Sequence, residues 1–323
     1  MKTTLIRSLM VLLFSLMSSW AFAQSWPTGP VRIIVPYPPG AEPDVMARDV
    51  ANQLSRISGK TVIVENKPGA NSIIGTDVVA KGEGDGSLLL MVDRLAVVTN
   101  PILYSKLPYT WERQLKPVTD LGSVHLFIAA SPGLPVKNLR ELVAYAKAKP
   151  KSVNAGIAGN GHVNHIGMEM LAQSEGMALT YVPYKGMAPT ITGFLGDEVG
   201  VMMAGGLVMQ QMSKAKPIKI LAIGDDKRAA YLPDVPTIVE AGGKSGSIPS
   251  TVFSFFAPGK TSDETIAQIN RAIVAVVTAD FKKTYNERGV TVMTSSPEEM
   301  LANMKRESAK YEKIIREVGI KLD

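Results

Sequence analysis

The chain has 323 residues, 46% of them hydrophobic and 20% charged, with a formal net charge of +6. That is enough chain for two domains with real cores, and the charge balance is that of a globular protein. The absence of any Cys excludes a disulfide scaffold, a thiol nucleophile and a lipid-modified cysteine, and Lys and Arg dispersed among acids exclude the basic stripe of a nucleic-acid groove.

The elements follow in chain order. Lys2 and Arg7 precede an apolar run over 9–17, and the small residues Ala21 and Ala23 flank Phe22. This is the pattern of a secretory signal peptide cleaved after Ala23, too short for the roughly 20 residues of a membrane span. Cleavage leaves a charge of +4 and places the protein in the bacterial periplasm. A buried strand is expected over 31–35, stopped by Pro36, Pro38, Pro39 and Gly40, followed by a helix that Asp44 caps and that runs to about Ser58. A strand over 61–65, a helix ending near Lys81 and a strand over 87–92 continue a βα alternation, the signature of a mainly parallel sheet covered by helices. The segment 93–120, with Asn100-Pro101 and Trp111, is expected to be a loop-rich cover.

An apolar run over 124–130 precedes a second alternating unit: helix 139–148, a strand near Val153, helix 164–173, strand 179–182, helix 188–194, strand 199–203, helix 207–214 and strand 218–223. A further apolar run, 252–257, leads to helices over 263–277 and 280–288, a strand over 290–293 and a terminal helix opening at Pro297. The last segment is too small to fold alone and is expected to return to the first unit. The chain therefore divides into 1–23, a first lobe of 24–125 with 256–323, and a second lobe of 126–255, with crossovers near 124–130 and 251–257. A cleft between such lobes is where a solute binds.

Two glycine-containing loops are the candidate lips of that cleft. The first runs from Tyr37 through Pro39, Gly40, Ala41 and Glu42 to Asp44; the second is NAGIAGNGHVNH, with Ile157, Ala158, Gly159, Asn160, Gly161, His162 and His165. Each ends in a helix start that offers bare N–H groups. The second lip has neither the G-x-G-x-x-G order nor a P-loop Lys, so a nucleotide is not expected. His162 and His165 lack the further ligands that zinc needs, and no metal or cofactor is expected. Tyr184 and Lys185 follow a strand end and can frame the cleft or hold a turn. No G-x-S-x-G elbow, cysteine or base pairing assembles a reaction, so a binding protein is expected rather than an enzyme.

These residues resemble the tripartite tricarboxylate transporter substrate-binding proteins, the Bug or TctC receptors. The resemblance spans nearly the whole mature chain and rests on VRIIVPYPPGAEPDVMAR, TVIVENKPGANSIIGTDVVAK, DGSLLL, Asn100-Pro101, ELVAYAKAKP, GNGHVNHIGMEM, YVPYKG, KRAAYLPDVPTIVEAG and FFAPGKT. It implies a two-lobed periplasmic-binding-protein (Venus flytrap) α/β fold, a monomer, and capture of a small organic acid for an inner-membrane permease pair. It also implies that the solute is gripped between 36–44 and 156–165, often through ordered waters.

The departures from that pattern gather at the lips. Ala41 and Glu42 stand where the family keeps a small uncharged pair, Ile157 and His162 where it commonly has hydroxyls, and Ala204 and Gly205 where it often has Asp and Asn. The turn usually written Pro-Asp-Gly-Tyr-Thr is Gly84-Asp85-Gly86-Ser87-Leu88. A lost hydroxyl and an added acid disfavour a plain dicarboxylate. The expected solute is a monocarboxylate, aromatic or not, or a ligand with an amine that Glu42 pairs, with Arg94, Lys185 and His162 as candidate anion partners; the alternative is that Glu42 points to solvent. A sensor input for a two-component system is the alternative role.

Overall fold

The computed structural model describes residues 26–322, so the expected signal peptide lies outside the described residues. The first half contains β1 (Val31–Val35), α1 (Glu42–Ser58), β2 (Val62–Asn66), α2 (Ile73–Ala80), β3 (Leu88–Asp93), α3 (Arg94–Leu103), α4 (Trp111–Gln114) and β4 (Leu115–Ala130). Then come α5 (Leu139–Ala148), β5 (Asn154–Ile157), α6 (Val163–Glu175), β6 (Thr180–Pro183), α7 (Met187–Leu195), β7 (Val201–Gly205), α8 (Gly206–Ala215) and β8 (Lys219–Ile223). The chain closes with β9 (Ser250–Pro258), α9 (Asp263–Val276), α10 (Ala279–Glu287), β10 (Val290–Val292) and α11 (Pro297–Val318).

Two expectations differ from this list. Asp44 is not the residue that starts α1; the helix opens at Glu42 with Ala41 in the capping position, and Asp44 reaches back from its first turn to accept the Gly40 N–H at 2.8 Å. Segment 93–120 is not a loop-rich cover. The Asp93 carboxylate accepts the Leu95 N–H and opens α3, whose Leu95, Val97, Val98 and Leu103 are buried, while Pro101 falls in the helix's last turn. Burial and the cap outweigh the turn signal of Asn100-Pro101. By contrast, α11 starts at Pro297 as expected, through a reciprocal pair in which Ser296 Oγ accepts the Glu299 N–H and Glu299 accepts the Ser296 N–H.

The strands form two sheets that share β4. The first has β2, β1 and β3 parallel, then β9 and β4 antiparallel, with β10 against β4. The second has β4 beside antiparallel β7 and β8, with β5 and β6 continuing in parallel. Each sheet is thus mixed rather than mainly parallel. Residues 115–125 of β4 pair with β9 and residues 126–130 with β7 and β8, so the chain passes from one sheet to the other between His125 and Leu126. Ser250 of β9 pairs with His125, which puts all of β9 in the first sheet and the return crossing at its start. Register shifts at Pro117 and after Asp120 let the polar first half of β4 stay paired around a proline.

Each sheet buries side chains on both faces. Ile33, Met46, Phe255 and Tyr285 pack on one side of the first sheet, and Ile34, Val92, Phe256 and Met304 on the other. Met168, Met203 and Leu221 pack on one side of the second sheet, and Phe127, Phe194 and Met209 on the other. Ile166 and Met170 of α6 join the first-lobe cluster of Leu95, Leu103 and Ile315, so the two lobes touch through that helix. This is a two-lobed α/β architecture with a cleft at the shared strand.

Candidate functional site

A cavity of about 400 Å³ lies between the lobes, in the volume range of a site for a small organic molecule. Five helices begin on it: α1 at Gly40 and Glu42, α2 at Ser72, α3 at Asp93, α6 at His162, and α8 at Gly205 and Gly206. They arrive there because each follows a strand or turn of the βα alternation, whose carboxyl ends face the cleft. The caps of α1, α2 and α8 use no side chain, which leaves first-turn N–H groups available to a solute. The positive ends of these helices favour an anion.

The first-lobe wall is built around Tyr37. Its hydroxyl accepts the Asp93 N–H at 3.1 Å, its ring meets Phe253 edge-on with centroids 6.3 Å apart, and burial with the neighbouring Asp93 raises its pKa. Asp93 is 6% exposed, and burial pushes its carboxyl up to about 7; the Leu95 and Val252 N–H groups and Arg94 oppose that rise, while Glu307 adds to it. Glu42 also lines the cavity, and its pKa is raised, first by burial and then by Asp49, against the pull of Arg288. Arg288 Nη2 stands 3.5 Å from Glu42 Oε2, while Glu42 Oε1 is buried with no hydrogen-bond partner.

The second-lobe wall is ordered by a short hydrogen-bond relay. His165 is 6% exposed; its Nδ1 accepts the Gly161 N–H at 3.1 Å, and its ring packs edge-on against Tyr181. Asn164 Oδ1 accepts the Ala158 N–H at 3.2 Å and lies 2.9 Å from His162 Nδ1. Burial lowers the His162 pKa, with His165 adding to the fall and the Asn164 contact opposing it, so His162 presents a neutral ring to the cavity at pH 7.

Of the residues singled out from the sequence, Tyr37, Gly40, Glu42, Gly161, His162 and Gly205 line this cavity. The others stand elsewhere. Pro39 and Asn160 are solvent-exposed, Ala41 and Gly159 partly so, and Ile157, Ala158 and Ala204 are buried behind the lips. Asp44 is buried at the root of the first lip; burial alone would raise its pKa, but hydrogen bonds from Arg48, Gly40 and Asn66 lower it. His165 supports Gly161 from behind, Tyr184 donates to Glu198 at 3.0 Å, and Lys185 is exposed. Arg94 is 4% exposed and turned to Asp120 and Glu307.

Sequence reading missed Asp93, Ser72, Thr251, Phe253 and Arg288 in the lining. Asp93 carried a usable signal, an acid at the carboxyl end of a parallel strand. Arg288 carried none, being one of several charges on a polar helix whose place beside the first lip is set by the chain's return to the first sheet. Among the described residues no group of three or more His, Asp or Glu is placed to hold a metal, and no helix is long and apolar enough to cross a membrane.

The fold and cavity can be set against known proteins. The model of the tripartite tricarboxylate transporter family receptor matches residues 46–320. Protein BugT of Bordetella pertussis is 31% identical over 302 residues, covering 93% of this chain and 92% of BugT. Among solved structures, R. palustris Rpa4515 with adipate is similar at a TM-score of 0.81 and 28% identity, over 92% of this chain and 99% of that one. The periplasmic binding protein BugD is similar at 0.77 and 29% identity, again over 92% and 99%.

Proposed function

The chain belongs to the tripartite tricarboxylate transporter family of receptors, and from that premise we propose that it captures a small carboxylate-bearing solute between its lobes and hands it to a membrane permease pair. The family is one of periplasmic substrate-binding receptors, not of enzymes. The observation that carries the reading is the convergence of five helix starts on one inter-lobe cavity, three of them without a side-chain cap. N–H groups fixed in that way bind a carboxylate with little reorganisation. That Rpa4515 was solved with adipate supports a carboxylate as the solute class.

In this reading Gly40 to Glu42 and Gly161 to His162 are the two jaws. Residues up to His125 and from Ser250 move as one lobe, those between as the other, and closure presents the face that a permease recognises. The test is a thermal-shift screen of the protein purified from the periplasm against adipate and shorter dicarboxylates, aliphatic and aromatic monocarboxylates, and amino acids. A solute at 100 times its dissociation constant stabilises by about 2.7 kcal/mol. A panel in which no carboxylate raises the melting temperature overturns the proposal.

A further inference from the structure

Glu42 and Arg288 stand side by side in the cavity wall, Oε2 to Nη2 3.5 Å, one on the first lip and the other on the turn before β10. Arg288 is held in place over the Tyr285 ring, 5.4 Å from its centroid, and the Tyr285 hydroxyl donates to Asp49. It is the one Arg or Lys side chain that lines the cavity among the described residues. Beside it the Glu42 side chain, about one-fifth exposed, lines the same cavity. The rest of the wall is largely apolar, with Leu95, Val124, Leu126, Ile166, Val208 and Phe253.

Building on the receptor reading above, we propose that the solute is an α-amino acid with an apolar side chain, its carboxylate on Arg288, its ammonium on the Glu42 carboxylate and its side chain against Val124, Leu126 and Phe253. An acid and a base that touch each other on the wall complement a head group whose opposite charges are carried by one carbon. The other simple solutes leave something unmatched. A dicarboxylate brings a second anion to a wall that already holds the Glu42 carboxyl group and a single guanidinium. A monocarboxylate leaves the Glu42 carboxylate without a cation beyond Arg288, and a plain amine leaves Arg288 without an anion beyond Glu42.

Isothermal titration of the protein purified from the periplasm tests this with matched probes: L-leucine and L-phenylalanine, their deaminated skeletons 4-methylpentanoate and 3-phenylpropanoate, the amine 3-methylbutylamine, and adipate. The expected result is that leucine or phenylalanine binds about tenfold or more tighter than its deaminated skeleton, with the amine and adipate weaker still. Glu42→Gln should reduce that preference about tenfold, and Arg288→Gln should weaken the amino acid and the skeleton acid alike, circular dichroism showing both variants folded. If adipate or a deaminated acid binds as tightly as the amino acids, the inference is overturned while the receptor reading stands. A Glu42→Gln protein that keeps the full preference overturns it too. If no probe binds at all, the inference falls, and the wider carboxylate screen decides whether the receptor reading falls with it.

Discussion

Asp120 accepts two hydrogen bonds from Arg94 Nη1, one on each carboxylate oxygen and both at 2.7 Å. The other edge of the guanidinium belongs to Glu307 of α11, at 2.9 Å from Nε and 2.6 Å from Nη2, and Ser254 Oγ donates to Asp120 at 2.6 Å. Arg94 therefore ties α3, β4, β9 and α11 into one block at the edge of the cleft. Breaking a buried pair from one side leaves an uncompensated charge and costs about 3–5 kcal/mol. Asp120→Ala should lower the free energy of unfolding by that amount in urea titration. The double variant Arg94→Met with Asp120→Leu should recover part of the loss, because no guanidinium is left buried and unpaired, while Glu307, 27% exposed, turns to solvent. A single variant as stable as the parent would show that the network is not holding the lobe.

This bolt also shows what can and cannot be read along the chain. The strands and helices were legible because their periodicity and punctuation are local: β1 matches its expected limits, and α11 opens at the expected Pro297. Arg94 could be seen as a cation near a strand end, but its partners lie 26 and 213 positions away, so its engagement could not be seen. Arg288 shows the converse, since only the pairing of β10 with β4 brings it to the cavity. The first half of β4 was missed because polar residues and Pro117 interrupt its pattern, and bulged pairing with β9 is a tertiary fact. Local order was written in the sequence, whereas the wall of the site was assembled by contacts between distant segments.

The second lip presses against the C-terminal tail. Gly161 has φ of +72°, and a Cβ there would run into Leu322, whose N–H donates to Leu103 O at 2.9 Å. Gly161→Ala should cost about 1–2 kcal/mol from the left-handed backbone alone, with a further loss from displacing the tail. Adding Leu322→Ala should restore the second part and not the first, as thermal denaturation would show. Equal stability of Gly161→Ala with and without Leu322→Ala would mean that the tail does not support the lip.

Tyr231 spans the cleft at its other end. Its ring lies against Gly206, which starts α8 in the second lobe, and a Cβ on Gly289, which precedes β10 in the first, would come within 2.9 Å of the Tyr231 Cζ. The ring thus touches both lobes and favours their approach. Removing it with Tyr231→Ala should weaken solute affinity about tenfold, or about 1.4 kcal/mol, through a faster dissociation rate. Tyr231→Phe keeps the ring and should keep the rate. Stopped-flow displacement measures both, and an unchanged rate in the Ala variant would remove Tyr231 from the closing surfaces.

Asp93 gives the protein a pH signature. Its ordinary value is 3.8, and burial pushes the folded carboxyl up to about 7. The folded state therefore holds a proton that the unfolded chain releases between those two values. This carboxyl therefore withdraws stability as pH rises from about 4 through 7, by at most about 1.4 kcal/mol per unit, and its contribution levels off by about pH 8, where it is ionised in both states. Carboxylates with lowered values, such as Asp44, change stability in the opposite direction at lower pH, so the parent protein's total curve mixes the two. Asp93→Asn isolates the effect, since the amide oxygen can still accept the Leu95 N–H that opens α3. The variant should gain stability relative to the parent steadily from about pH 4 to 7, and the two curves should run parallel above about pH 8. Urea titrations at half-unit intervals measure the difference, and a difference that stays constant from pH 4 to 7 would show that Asp93 does not carry its proton into the neutral range.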